Sequence, residues 1–345
     1  MHVFTRLSAI AITFAVVLVA ASCSDDGGND ASTTTTGASP ATDAPTTTVD
    51  ATTTIAPTTT VAAARVSDGC GASVESGAAS FTLDTADGRT RDYRMYTPPV
   101  DDPNAALPVV LNFHGFTSDI DAQVRLSRLE PLAETEGFIV ITPQGTVNVN
   151  GVPFWNSSGR VRSTELVEGA IVNDVQFVHE LLDAVEASRC VDLDRVFSTG
   201  MSNGGSMSGQ LACQMPERIA AIASVTGLAL NADCAEDRDV PVLHFHGTDD
   251  RVSAFDSFPD RVAGWAADNG CDDTFESEEV SAEVERRIWS CPDGAGVEFY
   301  VVAEGGHTWP GTPLTEALTA ILGYTTLDID ATALAWEWFQ AHPIS

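Results

Sequence analysis

A few short runs of this chain are apolar at nearly every position, and they constrain its fold more than any other feature. Residues 108–113 (PVVLNF) and 138–142 (FIVIT) are the clearest. A strand with one solvated face alternates apolar and polar residues, so an unbroken apolar run marks a strand buried on both faces. Further strands are expected at 81–83, 89–96, 195–198, 219–225, 241–245 and 297–302. Helices are expected at 121–136, at 168–187, directly after Ser202, and at 331–340. In the second of these, Ile171, Val175, Val178, Leu182 and Val185 recur at three and four, the repeat of a helix with one apolar stripe. Strand–helix alternation with such strands implies an α/β architecture, a mainly parallel central sheet with helices on both faces. In sheets of this kind the chemistry sits on the loops after the carboxyl ends of the strands.

Those loops carry a consistent set of residues. After the strand RVFST comes Gly200-Met201-Ser202-Asn203-Gly204-Gly205, a G-x-S-x-G pattern. A glycine-rich turn capped by a serine would use the same letters. Here a strand precedes the pattern and a small-residue helix start follows it, the setting in which such a turn holds a serine up at the rim of the sheet. A serine hydroxyl needs a base to take its proton. Of the seven histidines, His307 follows the last strand on a glycine-flanked loop, Gly305-Gly306-His307-Thr308-Trp309-Pro310-Gly311. The order Ser…Asp/Glu…His also selects it. Between the two lies His246-Gly247-Thr248-Asp249-Asp250, where Asp249 or Asp250 supplies the carboxylate that orients the imidazole. Oxyanion donors are expected at the Asn203 amide and in Asn112-Phe113-His114-Gly115-Phe116-Thr117, with Phe116 assigned and Thr117 its neighbour. His114 is expected to brace this loop.

Together these blocks resemble the polyhydroxybutyrate depolymerase-like esterases, close to the feruloyl esterases of carbohydrate esterase family 1. The likeness rests on His114-Gly115-Phe116, Trp155-Asn156, Asn173-Asp174-Val175, the GMSNGG block, His246-Gly247-Thr248-Asp249-Asp250 and the GHTWPG block, over about residues 90–312. It implies the α/β-hydrolase fold and a serine carboxylic-ester hydrolase. It also implies that Asp250, four residues after His246, is the acid. The family's segment before Val175 usually carries two acids, where this chain has Asn173. Trp155, Asn156 and Trp309 lie near these motifs in sequence and are expected to line the substrate cleft. The substrate class is a neutral ester, either polyhydroxybutyrate or 3-hydroxybutyrate oligomers or feruloyl-polysaccharide esters. No metal and no organic cofactor is expected.

The N-terminus and the cysteines point to export. Arg6 precedes an apolar run from Leu7 to about Ala21, which ends in Ala20-Ala21-Ser22-Cys23. This reads as a signal peptide over 1–23 with a lipobox-like end, Cys23 being the lipidation site. Residues 24–65 are rich in Thr, Ala, Asp, Gly and Pro, too poor in apolar surface to fold, and read as a tether for a catalytic domain over 66–345. Setting Cys23 aside leaves Cys70, Cys190, Cys213, Cys234, Cys271 and Cys291, an even number in an oxidising compartment. Proximity in sequence suggests Cys213–Cys234 and Cys271–Cys291, leaving Cys70–Cys190. The formal charge is −32, from 49 acidic residues and 17 basic ones, all arginine. A surface this acidic repels nucleic acid and anionic membranes, so membrane contact is expected only through the N-terminal lipid. Two rival classes use the same residues differently. A cell-envelope acyltransferase would share the triad and exclude water, and a non-catalytic surface lipoprotein would keep only the fold.

Overall fold

The structure is a computed structural model that describes residues 65–157, 172–229, 234 and 238–344. Its strands are β1 Gly77–Asp84, β2 Thr90–Thr97, β3 Leu107–Phe113, β4 Ile139–Pro143, β5 Thr146–Val147, β6 Pro153–Phe154, β7 Val191–Met201, β8 Ile222–Val225, β9 Val242–Gly247, β10 Phe275–Glu279, β11 Val284–Trp289 and β12 Val297–Val302. The helices are α1 Ile120–Ser127, α2 Leu129–Glu136, α3 Asp174–Glu186, α4 Asn203–Gln214, α5 Phe258–Asp268, α6 Glu316–Leu322 and α7 Ala331–Ala341. Ten strands form one sheet in the order β1-β2-β4-β3-β7-β8-β9-β12-β11-β10, and β5 and β6 pair separately. The six central strands from β4 to β12 are parallel, and the antiparallel pairs lie at the two edges. This is the α/β-hydrolase architecture.

The apolar runs occupy the middle of the sheet because only there are both faces covered. On β3, Val109, Leu111 and Phe113 face one layer and Val110 faces the other. The first layer packs Phe177, Leu181 and Val185 of α3, Met207 and Leu211 of α4, and Phe258, Val262 and Trp265 of α5. The second packs Leu129 and Ala133 of α2 and Ala335, Trp336 and Phe339 of α7. Asn112 interrupts the β3 run without cost. Its amide donates to the Ser127 and Thr142 hydroxyls and accepts from the Gln123 amide, so every buried polar group there is paired.

Several expectations need correction. The helix expected at 121–136 is two helices. Pro131 has no N–H to give the Ser127 carbonyl and its ring crowds that turn, so the helix breaks at Arg128, which has φ 50°. The Thr332 hydroxyl takes the freed Ser127 carbonyl instead, at 2.5 Å. The strand expected at 195–198 runs over Val191–Met201. β10 and β11 were not expected at all. β10 (FESEE) is exposed along its whole length, so it lacks the apolar signal of a strand. The helix expected at 168–187 is described from Asp174, where the Asn173 side chain accepts from the Gln176 amide and caps it. Cys23, the signal segment and nearly all of the 24–65 tether lie outside the described residues.

The structure pairs Cys70 with Cys190, Cys213 with Cys234 and Cys271 with Cys291. Among the described residues, no helix is long and apolar enough to cross a membrane.

Candidate active site

The parallel strands bring their carboxyl ends to one rim. In register, Phe113 of β3 pairs with Gly200 of β7, Gly200 with Ser224 of β8, Val225 with Phe245 of β9, and Val302 of β12 with Gly247. Ser202, Asp250 and His307 are each carried on the chain just beyond β7, β9 and β12.

Ser202 sits between β7 and α4 with φ 56° and ψ −116°, a region that costs a non-glycine residue about 1–3 kcal/mol. Its amide donates to the Val225 carbonyl at 2.8 Å, and its hydroxyl does not cap the helix that follows. The sharp turn is possible because its flanks have no side chains. A Cβ on Gly200 would lie 2.6 Å from the Gly204 backbone, and one on Gly204 would lie 2.1 Å from the Phe113 carbonyl.

Asp250 is buried, and its two oxygens divide their work. Oδ1 accepts from the Val252 and Ser253 amides, both at 2.8 Å, and Oδ2 accepts from His307 Nδ1 at 2.8 Å. Burial pushes its acidity toward the neutral form. The His307 hydrogen bond and charge and the two amides outweigh that, holding its pKa below the ordinary value. Asp249 is exposed and pairs with exposed Arg251, away from the imidazole. The His307 loop is pinned by its own backbone. The His307 amide donates to the Leu322 carbonyl at 2.6 Å and the Gly306 amide to the Tyr324 carbonyl at 2.8 Å.

The loop after β3 abuts Ser202, since a Cβ on Gly115 would lie 3.5 Å from Ser202 Cβ. The Thr117 amide is spent on the Pro153 carbonyl at 3.0 Å, whereas the Phe116 amide has no acceptor among the described residues. His114 braces this loop. Its Nε2 accepts from the Gly145 amide and the Gln144 side chain, so Nδ1 carries the proton and donates to the Gly115 carbonyl at 2.8 Å. Burial lowers its pKa, as a neutral bracing ring requires.

The two tryptophans are not cleft residues. Trp155 is 1% exposed and Trp309 is 0% exposed, so neither side chain can touch a substrate. Trp309 lies in the layer of α2 and α7 and donates to Thr332. Trp155 is a staple. Its indole Nε1 donates to the His114 carbonyl at 2.9 Å, and its backbone amide and carbonyl are both held by the Asn203 side chain, at 2.7 and 2.9 Å. The segments carrying Phe116 and Asn203 are therefore tied through one residue. Asn156 is also occupied structurally: its side chain donates to the Val172 carbonyl and its amide to Asp174. Asp174 in turn forms a buried ion pair with Arg91 at 2.9 Å. Sequence reading missed this Arg91–Asp174–Asn156 link and the structural use of the Asn203 side chain. It also missed the two β9 histidines behind Asp250, whose spacing of two places them on one strand face. Among the described residues no group of three His, Cys, Asp or Glu is arranged to hold a metal ion.

Residues 91–263 match the model of the Esterase PHB depolymerase family. A bifunctional acetylxylan esterase/xylanase of Neocallimastix patriciarum is 31% identical over 48% of this chain, and the match spans 22% of that longer protein. A probable feruloyl esterase C of Aspergillus niger is 25% identical over 73% of this chain and 84% of its own length. Among solved structures, an acetyl xylan esterase from Aspergillus awamori superposes with a TM-score of 0.52 at 18% identity, over 76% of this chain and 99% of that one.

Proposed function

The chain belongs to the Esterase PHB depolymerase family, and from that premise we propose that it is an exported serine carboxylic-ester hydrolase working through an acyl-enzyme. The observation that carries the reading is the buried His307–Asp250 hydrogen bond on the same rim as the strained Ser202. In the reaction, His307 Nε2 takes the Ser202 proton as Oγ adds to the ester carbonyl, while Asp250 holds Nδ1 and steadies the imidazolium. The Phe116 and Asn203 amides receive the oxyanion. Collapse expels the alcohol, which takes the proton from His307. Water then adds to the acyl group by the same route, releasing the acid and restoring Ser202.

The relatives' names favour acyl groups carried on plant polysaccharides, acetyl or feruloyl, over hydroxybutyrate oligomers. Three disulfides support function outside the cell. The signal segment, the tether over 24–65 and lipidation at Cys23 complete this reading as a surface-held enzyme. The test is hydrolysis of methyl ferulate, an acetylated xylo-oligosaccharide and a 3-hydroxybutyrate trimer, with Ser202→Ala as the blank. Fluorophosphonate labelling that requires Ser202, with cleavage of the first two substrates, is expected. Preference for the trimer would reassign the substrate. Labelling without hydrolysis of any ester would favour acyl transfer to another acceptor.

A further inference from the structure

Asp250 receives His307 on one side, and a second histidine stands on the other. His246 Nε2 lies 3.3 Å from Asp250 Oδ2 and 2.8 Å from the Ser253 carbonyl. A carbonyl only accepts, so the proton on this edge belongs to Nε2. A neutral ring then has a bare Nδ1, and the group 3.2 Å from it is His244 Nε2, which must donate. His244 Nδ1 is consequently bare and accepts from the Ser224 hydroxyl at 2.8 Å. The protons run one way: Ser224 to His244, His244 to His246, His246 to the Ser253 carbonyl.

We propose that His246, held in a single tautomer by His244 and Ser224, is a positioning residue: its Nε2–H ties down the Ser253 carbonyl and so fixes the turn whose Val252 and Ser253 amides hold Asp250 toward His307. This rests on the triad reading above. Asp250 then accepts from three donors, the Val252 and Ser253 amides and His307, with the His246 ring closing its remaining side at 3.3 Å. A carboxylate so enclosed cannot rotate, and neither oxygen is free to draw His307 out of line.

The surroundings keep both rings in place. Phe258 lies against His246 at 3.8 Å between centroids and stacks on His244 at 5.3 Å, and Phe299 touches His244 at 5.2 Å. The titratable and charged groups around the pair are Asp250 and His307, Arg261 of α5 over Phe258, and Arg287 of β11 over Phe299. Burial pushes His246 down to about 4, and His244 well below its ordinary value, so each ring carries one proton at neutral pH.

His246→Phe keeps an aromatic ring in the cage and deletes the donor. On p-nitrophenyl acetate we expect kcat to fall about tenfold or more, the scale for loss of an outer partner, with KM within about twofold. With the turn loosened, Asp250 loses hold of its amide donors and becomes more basic, so the acidic limb of kcat/KM moves up by about half a pH unit. His246→Gln, which retains an N–H donor, should recover most of kcat. A folded His246→Phe variant with full kcat and an unmoved acidic limb would overturn the proposal. Long-range 1H–15N spectra of the histidine-labelled wild-type protein decide it without any variant. Protons on His246 Nε2 and His244 Nε2 are expected, and a proton on His246 Nδ1 would sink it. Absence of ester hydrolysis by the wild type would instead remove the triad reading, and the tautomers would still be legible.

Discussion

The buried pair of Arg91 and Asp174 gives a sharp test of how the rim is supported. Their side chains are 5% and 0% exposed, and the two Asp174 oxygens serve different donors: Oδ1 accepts from Arg91 at 2.9 Å and Oδ2 from the Asn156 amide at 2.7 Å. Asp174→Asn preserves shape but leaves one acceptor for two donors, so an NH2 group must face either Arg91 or the Asn156 amide. It also strips the buried guanidinium of its counter-charge. Removing one partner of such a pair costs about 3–5 kcal/mol. Arg91 keeps the Gln144 carbonyl at 3.1 Å and the Phe177 face at 3.9 Å, which hold the result toward the lower end. Asp174 opens α3, where a helix N-terminus favours its charge. Arg91→Met should therefore cost less than Asp174→Asn, and the double variant should be more stable than Asp174→Asn alone. In urea at an m-value of ~3 kcal/mol/M, the Asp174→Asn midpoint should drop by about 1–1.5 M with disulfides intact. A drop below ~0.3 M, or additivity of the two single changes, would refute the reasoning.

Trp155→Phe removes the indole donor from the His114 carbonyl and loosens the staple between the segments carrying Phe116 and Asn203. It should lower kcat about tenfold while leaving KM within about twofold, and unchanged kcat in steady-state assays would count against the staple. Because the folded chain holds His246 at about 4 against an ordinary 6.5, the unfolded chain binds the extra proton first as the pH falls. Stability should thus be full above pH ~6.5 and decline by about 3 kcal/mol toward pH ~4, and His246→Gln should flatten Tm against pH over that window. Asp250, lowered in the folded chain, adds a further loss as pH falls below the ordinary carboxylate value. The Cys70–Cys190 bridge spans 120 residues against 20 for Cys271–Cys291. Replacing both cysteines by serine should cost about 4–5 kcal/mol for the first and about 3 for the second, measured by urea unfolding.

The central sheet was legible because β3 and β4 are buried on both faces and their composition records it. Ser202, Asp250 and His307 could be singled out as candidates from an order of motifs, each following an apolar run. Nearness in sequence misled where it stood in for nearness to substrate. Trp309 is two residues from His307, yet the chain turns it into the opposite layer of the core. The break at Arg128 was readable from Pro131, since the missing N–H falls on the Ser127 carbonyl. β10 and β11 were not, because an exposed edge strand need not be apolar: FESEE satisfies its backbone by pairing with VERRIW and has no face to bury. The histidines behind Asp250 left only their spacing on β9. Nothing in that spacing says that the shared face meets the acid.

That same outer strand bears on how the molecule behaves in a crowd. β10 ends the sheet with an open row of backbone donors and acceptors, a template on which another chain's strand can pair. Glu276 and Glu279 stand exposed along it, Glu278 is paired with Arg286 of the inner neighbour, and Arg286 and Arg287 there are further matched to Glu298 and Glu285. Two copies approaching edge to edge would set glutamate against glutamate before any ladder bond could form. The sheet can therefore stay open-ended even where copies of the chain are crowded together.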